Sequence, residues 1–190
     1  MHNRFILSAA TAVAMALAVP AFGPLPAAAE QAAPAEKNPP GDIPDSQVFV
    51  AYDGPGFVMK VPEGWARTDQ TAGAIFNDKY NRIAVSIVAA QTAPTVASVT
   101  NNEAKVLAAN GRAIKLGSIK EVRLDGGRAI RLDYTANSDP NPVTNKQIRL
   151  EAVTFYLFGN GKLLTLDMSA PSGADNVDQW NLMANSLRIK

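Results

Sequence analysis

Asp133, Glu151 and Asp167 stand on stretches whose apolar–polar alternation predicts β-strands, and a strand can hold a carboxylate rigidly enough for acid–base work. A glycosidase-type pair would need two of them about 5–10 Å apart in a cleft. Ordinary cross-strand pairing accounts for such residues better, and Glu121 facing Arg131 is the expected example. The rest of the chemistry is set by what is missing. The chain has one histidine, His2, and no cysteine. Beyond residue 29 it therefore has neither imidazole nor thiol. That excludes Ser-His-Asp and Cys-His nucleophiles, thiol redox chemistry, and zinc or copper sites ligated by His. No Gly-x-Ser-x-Gly elbow, Ser-x-x-Lys motif or phosphate-binding glycine loop is present. No catalytic residue, cofactor or metal site is expected.

Ser138 to Lys146, SDPNPVTNK, is the longest polar stretch between two strands. Asp139, Asn141 and Asn145 could offer oxygens to calcium, but the glycine and glutamate that an EF-hand loop needs are replaced by Thr144 and Leu150. The plain expectation is a hairpin loop stiffened by its prolines; the functional alternative is a partner-contact loop, with Asp139, Asn141, Asn145 and Lys146 as its candidates. Tyr156, Phe158 and Leu163 are the other candidates. They share one sheet face and form an exposed docking patch if that face is uncovered; under a helix they are core. Trp65 and Trp180 are expected in the core.

The N-terminus accounts for where such a protein would work. Arg4 supplies a positive n-region, Phe5 to Val19 an apolar h-region, and Ala27-Ala28-Ala29 a small-residue cleavage site. Pro20, Pro24 and Pro26 interrupt the run, so it reads as a cleavable signal peptide rather than a membrane span. The expected compartment is the periplasm or the exterior. Loss of residues 1–29 removes Arg4 alone from the charged residues and leaves 17 basic against 17 acidic. That balance gives no long-range pull on nucleic acid or an anionic membrane. Residues 30–45, EQAAPAEKNPPGDIPD, read as a disordered Pro/Ala-rich spacer, and residues 46–190 as one domain.

Positioning these residues requires a strand-rich domain. Short strands are expected at Gln47–Tyr52, Phe57–Val61 and Trp65–Arg67, then at Ala72–Phe76 and Arg82–Ala90. A helix is expected from Thr95 to Asn110, with Thr95 as N-cap and Gly111 at C′. Two hairpins follow. Around Asp125-Gly126-Gly127 a three-residue loop would pair Val122 with Ile130 and gather Val122, Ile130, Leu132 and Tyr134 on one face. Asn160-Gly161 predicts a two-residue loop that pairs Leu157 with Leu164, Phe155 with Leu166 and Val153 with Met168. A C-terminal helix from Asp175 to Leu187 presents Val177, Trp180, Ala184 and Leu187 to the sheet. The expected fold is α+β: a single, mainly antiparallel sheet, with one helix from the N-terminal half and the C-terminal helix packed on it.

Three stretches resemble the PsbP/Mog-type fold family. Phe57-Val58-Met59-Lys60-Val61-Pro62-Glu63-Gly64-Trp65 is similar to its early strand, Pro and Trp signature. Gly127-Arg128-Ala129-Ile130-Arg131-Leu132-Asp133-Tyr134 resembles its central Gly-to-Tyr strand. Trp180 with Asn185-Ser186-Leu187-Arg188-Ile189 looks like its closing helix. The resemblance implies a non-enzymatic protein that docks onto a larger partner, as one member does on the lumenal face of photosystem II and another on the Ran GTPase. Related bacterial envelope proteins are secreted or lipid-anchored, and this chain lacks the cysteine that anchoring needs. The leading expectation is an extracytoplasmic accessory domain that binds an envelope protein. The alternatives are a small-molecule or lipid carrier with an internal pocket, and a carboxylate-based hydrolase.

Overall fold

The computed structural model describes residues 30–190 apart from Asn38. The expected signal peptide lies outside the described residues. Among the described residues, ten strands and three helices follow one another. β1 (Phe49–Gly54) and β2 (Phe57–Pro62) form the first hairpin. β3 (Ala66–Gln70), β4 (Gly73–Asp78) and β5 (Asn81–Ala89) make a meander. α1 (Val96–Asn101) and α2 (Glu103–Ala109) come next. Then come β6 (Lys115–Leu124), β7 (Gly127–Asn137), β8 (Arg149–Gly159) and β9 (Lys162–Pro171), closed by α3 (Val177–Ser186) and β10 (Arg188–Ile189). Seven strands form one antiparallel sheet in the order β3-β4-β5-β9-β8-β7-β6. The fold is α+β and antiparallel, as expected, but β1 and β2 stand apart. They pair with β10 in a second, three-stranded sheet rather than joining the first.

The large sheet is covered on both faces. On one face Val153, Phe155, Leu157, Leu164, Leu166 and Met168 pack under α3 and the small sheet, meeting Phe57, Met59, Trp180 and Met183. On the other, Ile130, Leu132 and Tyr156 lie beneath Val99 and Ala104 of the helix pair. The β8–β9 hairpin has the register read from Asn160-Gly161, because both turn residues have positive φ (+52° and +68°), which matches the strand twist.

The β6–β7 hairpin differs from expectation. Its loop is the two residues Asp125-Gly126, so Leu124 pairs with Gly127, Val122 with Ala129 and Glu121 with Ile130. Val122 then faces the larger core, while Ile130, Leu132 and Tyr134 face the helix pair. The expected Glu121–Arg131 pair is not made. Glu121 meets Arg128, and Arg131 reaches Asp133. A bulge at Gly117-Ser118 then shifts the register of β6.

The helix expected from Thr95 to Asn110 is broken in two. Thr95 caps α1, its hydroxyl accepting from the Ser98 N–H at 3.0 Å. The break falls at Asn102 (φ −113°, ψ −82°), where two successive asparagines favour local backbone bonding over helix continuation. The break turns Ala104 inward and leaves Val106 64% exposed. Gly111 takes the expected left-handed C′ conformation at φ +78°.

α3 begins one residue later than Asp175 would place it, and Asn176 occupies the N-cap position without capping. Its amide instead ties down the stretch before the first strand. Asn176 Oδ1 accepts from the Ile43 N–H at 2.6 Å, and its Nδ2 donates to the Gly41 carbonyl at 2.9 Å. Ile43, the one large apolar residue between Glu30 and Asp45, is only 4% exposed. The stretch read as a spacer is thus fastened to the domain at Gly41–Asp45, because one isoleucine finds a core site and a buried amide satisfies the backbone beside it.

Candidate binding groove

β6, β7, β8 and α3 leave a groove of about 400 Å³ between the larger core and solvent. Its floor is Val153 and Phe155 of β8, and Trp180 closes one wall. Gly117 of β6 and Val177 of α3 border its opening. The alternation of β7 and β8 delivers the charged side chains. Asp133 pairs with Val153, and Glu151 with Thr135, so the two carboxylates are diagonal neighbours on the groove face. Asp167, the third carboxylate of the sequence reading, points to the opposite face.

The two groove carboxylates are treated differently. Asp133 Oδ1 accepts from Arg131 Nε at 2.7 Å and Oδ2 from the Ser118 hydroxyl at 2.5 Å, so both its oxygens are occupied. The Arg131 guanidinium also lies 5.6 Å from the centre of the Phe155 ring. Glu151 has only a long contact, 3.4 Å from the Gly173 N–H, and no ion pair among the described residues. Burial pushes its carboxyl above the ordinary value, opposed in part by that N–H.

The sign of the resulting pH dependence is fixed. With the folded-state value raised, this group's contribution to stability is fully present below the unfolded value and is lost as pH rises through the folded one. Glu151→Gln therefore unfolds at higher urea concentration than the wild type at pH 7, by ~0.5 kcal/mol as befits a partly exposed site, and the difference closes as the pH falls below 4. Equal midpoints at pH 7 would contradict the assignment. A charge that opposes folding while lining a groove marks a residue suited to binding rather than to stability.

The residues nominated from the sequence are dispersed. Asp139 is exposed and meets Arg112. Asn141 turns its Oδ1 inward, accepting from the Val143 and Thr144 N–H groups at 3.0 Å each, and Asn145 is left-handed at φ +54°. These side-chain oxygens stiffen the loop instead of converging on an ion. Lys146 is exposed beside them. Tyr156 is buried under α1 and α2, and Phe158 and Leu163 are half-buried at the far end of β8 from this loop. The helix pair covers much of this face, but Tyr156 and Phe158 still line a second groove of about 450 Å³ beside Thr95, Val96, Glu121 and Arg128. Burial first, then Glu103 and Asp167, push the Tyr156 hydroxyl up to about 12. Trp180 is core on one side and groove wall on the other, while Trp65 only borders the core. The groove is not legible in the sequence because the register of β8 against β7 crosses an 11-residue connection, which carries Asp-Pro and Asn-Pro turns but no two-residue hairpin signal to fix the pairing. The diagonal placement of Asp133 and Glu151 was the detectable clue once that register was known.

A seven-stranded antiparallel sheet with paired short helices on one face, and a long helix with a small sheet on the other, defines a PsbP-like fold. The solution structure of cyanobacterial PsbP (CyanoP) from Synechocystis sp. PCC 6803 superimposes on 79% of this chain and 98% of its own, with a TM-score of 0.54 at 16% identity. A crystal structure from Bacteroides thetaiotaomicron aligns over 74% of this chain and 48% of its own, with a TM-score of 0.48 at 12% identity, too low to bear on the fold. No family model and no curated protein matches the chain at the level of sequence.

Proposed function

We propose that this domain is a non-enzymatic accessory protein that works outside the cytoplasm by docking onto a larger protein of the cell envelope. The PsbP-like fold carries the reading, since a resemblance to that family implies docking rather than turnover. The groove chemistry supports it. Asp133 is fully engaged by Arg131 and Ser118, and beyond residue 29 the chain has no imidazole or thiol to complete a nucleophile or general base near neutral pH. The groove opens to solvent, which suits surface contact better than carriage of an enclosed small molecule or lipid. No helix among the described residues is long and apolar enough to cross a membrane.

The test is capture of the tagged full chain from its own envelope after mild cross-linking, with partners identified by mass spectrometry. One envelope protein recovered in stoichiometric amount is the expected result. No partner, together with a hydrolase activity abolished by Asp133→Asn, would overturn it.

A further inference from the structure

We propose that the groove between β6–β8 and α3 receives a basic side chain from the docked protein, with Glu151 as its counter-charge and Trp180 and Phe155 flanking its aliphatic stem. This inference rests on the docking reading and names what the contact recognises.

Charge complementarity selects the occupant. Four charged groups line the groove: Lys115, Arg131, Asp133 and Glu151. Arg131 and Asp133 neutralise one another at 2.7 Å. Lys115 stands exposed at the rim, its ammonium free to remain in water. Arg149, two residues before Glu151 on the same face of β8, spends its guanidinium on the Ala113 carbonyl, Asn137 and Thr135 and forms no ion pair with Glu151 among the described residues. Glu151 is therefore the one charge of the groove that is both partly desolvated and unpaired among the described residues. An acidic ligand would bury a second negative charge against it, and a purely apolar one would desolvate it further without a partner. A lysine or arginine side chain pairs with it and lays its methylenes along the aromatic wall, where Trp180 adds attraction for a cation.

The mouth argues for a protein rather than a free amine. Val177 at the entrance is 58% exposed. A small amine inside the groove leaves it in water, whereas a polypeptide segment entering with its basic residue covers it.

The experiment titrates the 15N-labelled full chain with blocked pentapeptides carrying lysine, norleucine or glutamate between two leucines, and with n-butylamine. The Trp180 indole N–H reports binding. The lysine peptide is expected to move that signal and to bind about tenfold tighter than the norleucine or glutamate peptide, the preference disappearing in Glu151→Gln. Norleucine or glutamate binding as well as lysine, or an unchanged preference in Glu151→Gln, would overturn the inference. Butylamine binding as tightly as the peptide would overturn the choice of a protein occupant. Capture from the envelope separates the two readings. A partner held equally by wild type and Glu151→Gln removes the groove assignment and leaves docking intact, whereas no partner at all removes docking.

Discussion

Gly126→Ala is expected to lower the melting temperature by about 10 °C, from a cost of roughly 3 kcal/mol spread over a domain of this size. The cause is a single contact. A Cβ at Gly126 would stand 2.2 Å from the backbone carbonyl oxygen of Leu187, where no real Cβ can sit. Gly126 is in the two-residue turn of the β6–β7 hairpin, and Leu187 follows the last turn of α3. The carbonyl belongs to backbone that is itself held, because Leu187 is fully buried and β10 begins at the next residue. Relief therefore requires the whole turn to lift away from α3, which opens the larger core at Leu124 and Leu157. Because φ at Gly126 is not positive, alanine is not penalised by backbone conformation, and the loss isolates the steric term. Gly64 serves as the control of opposite kind. It has open space around its Cβ position but a φ of +83°, so alanine there costs only the backbone strain, about 1 kcal/mol. Thermal unfolding of the two variants beside the wild type checks both. A Gly126→Ala protein as stable as the wild type would mean that the turn and α3 do not touch.

Asp167→Ala is expected to cost about 3 kcal/mol in urea unfolding, because it strips the acceptor from two hydroxyls at once. On the face beneath the helix pair, Asp167 Oδ2 accepts from the Tyr134 hydroxyl at 2.8 Å and from the Thr154 hydroxyl at 2.7 Å, while Oδ1 lies 3.5 Å from Arg82. Thr154 is buried, and burial together with the Asp167 charge raises the Tyr134 hydroxyl far above its usual range. Both hydroxyls would lose their carboxylate acceptor, leaving each other as the nearest protein partner. Asp167→Asn keeps one acceptor oxygen and should lose only about 1 kcal/mol. Tyr134→Phe and Thr154→Val remove the donors instead, and each added to Asp167→Ala should restore part of the loss, since no orphaned hydroxyl then remains at that position. Additive losses in those double variants would show the hydroxyls to be satisfied elsewhere. A purely structural carboxylate is the reading tested. On the hydrolase reading, Asp167 would instead have been a candidate reacting group.

The paired helices above this cluster limit what the sheet can present to a partner. Tyr156 and Ile130 serve the fold beneath Val99 and Ala104, and further apolar and charged groups meet solvent in the groove on the opposite face.

Local patterning determined a large part of this protein. Alternation along β8 and β9, with Asn160-Gly161 between them, was sufficient to specify their register, because a two-residue turn with both φ values positive has one geometry compatible with strand twist. Thr95 and Gly111 likewise mark helix ends through interactions within a few residues. The absence of imidazole and thiol beyond residue 29 needed no structure at all. Tertiary packing decided the remainder. The Asp125-Gly126-Gly127 turn admits more than one register on local grounds, and the selection comes from Gly126 seated against Leu187, more than sixty residues away. Asn176 is a plausible cap by type, yet its amide satisfies Gly41 and Ile43 because a distant backbone segment would otherwise be buried unpaired. Glu151 and Trp180 line one groove only once β8 is registered on β7 and α3 packs on that face of the sheet. Interactions within a turn or along a hairpin are written in adjacent residues. A groove forms from the mutual position of elements far apart in the chain, and burial, sterics and hydrogen-bond satisfaction set that position only when the whole domain is assembled.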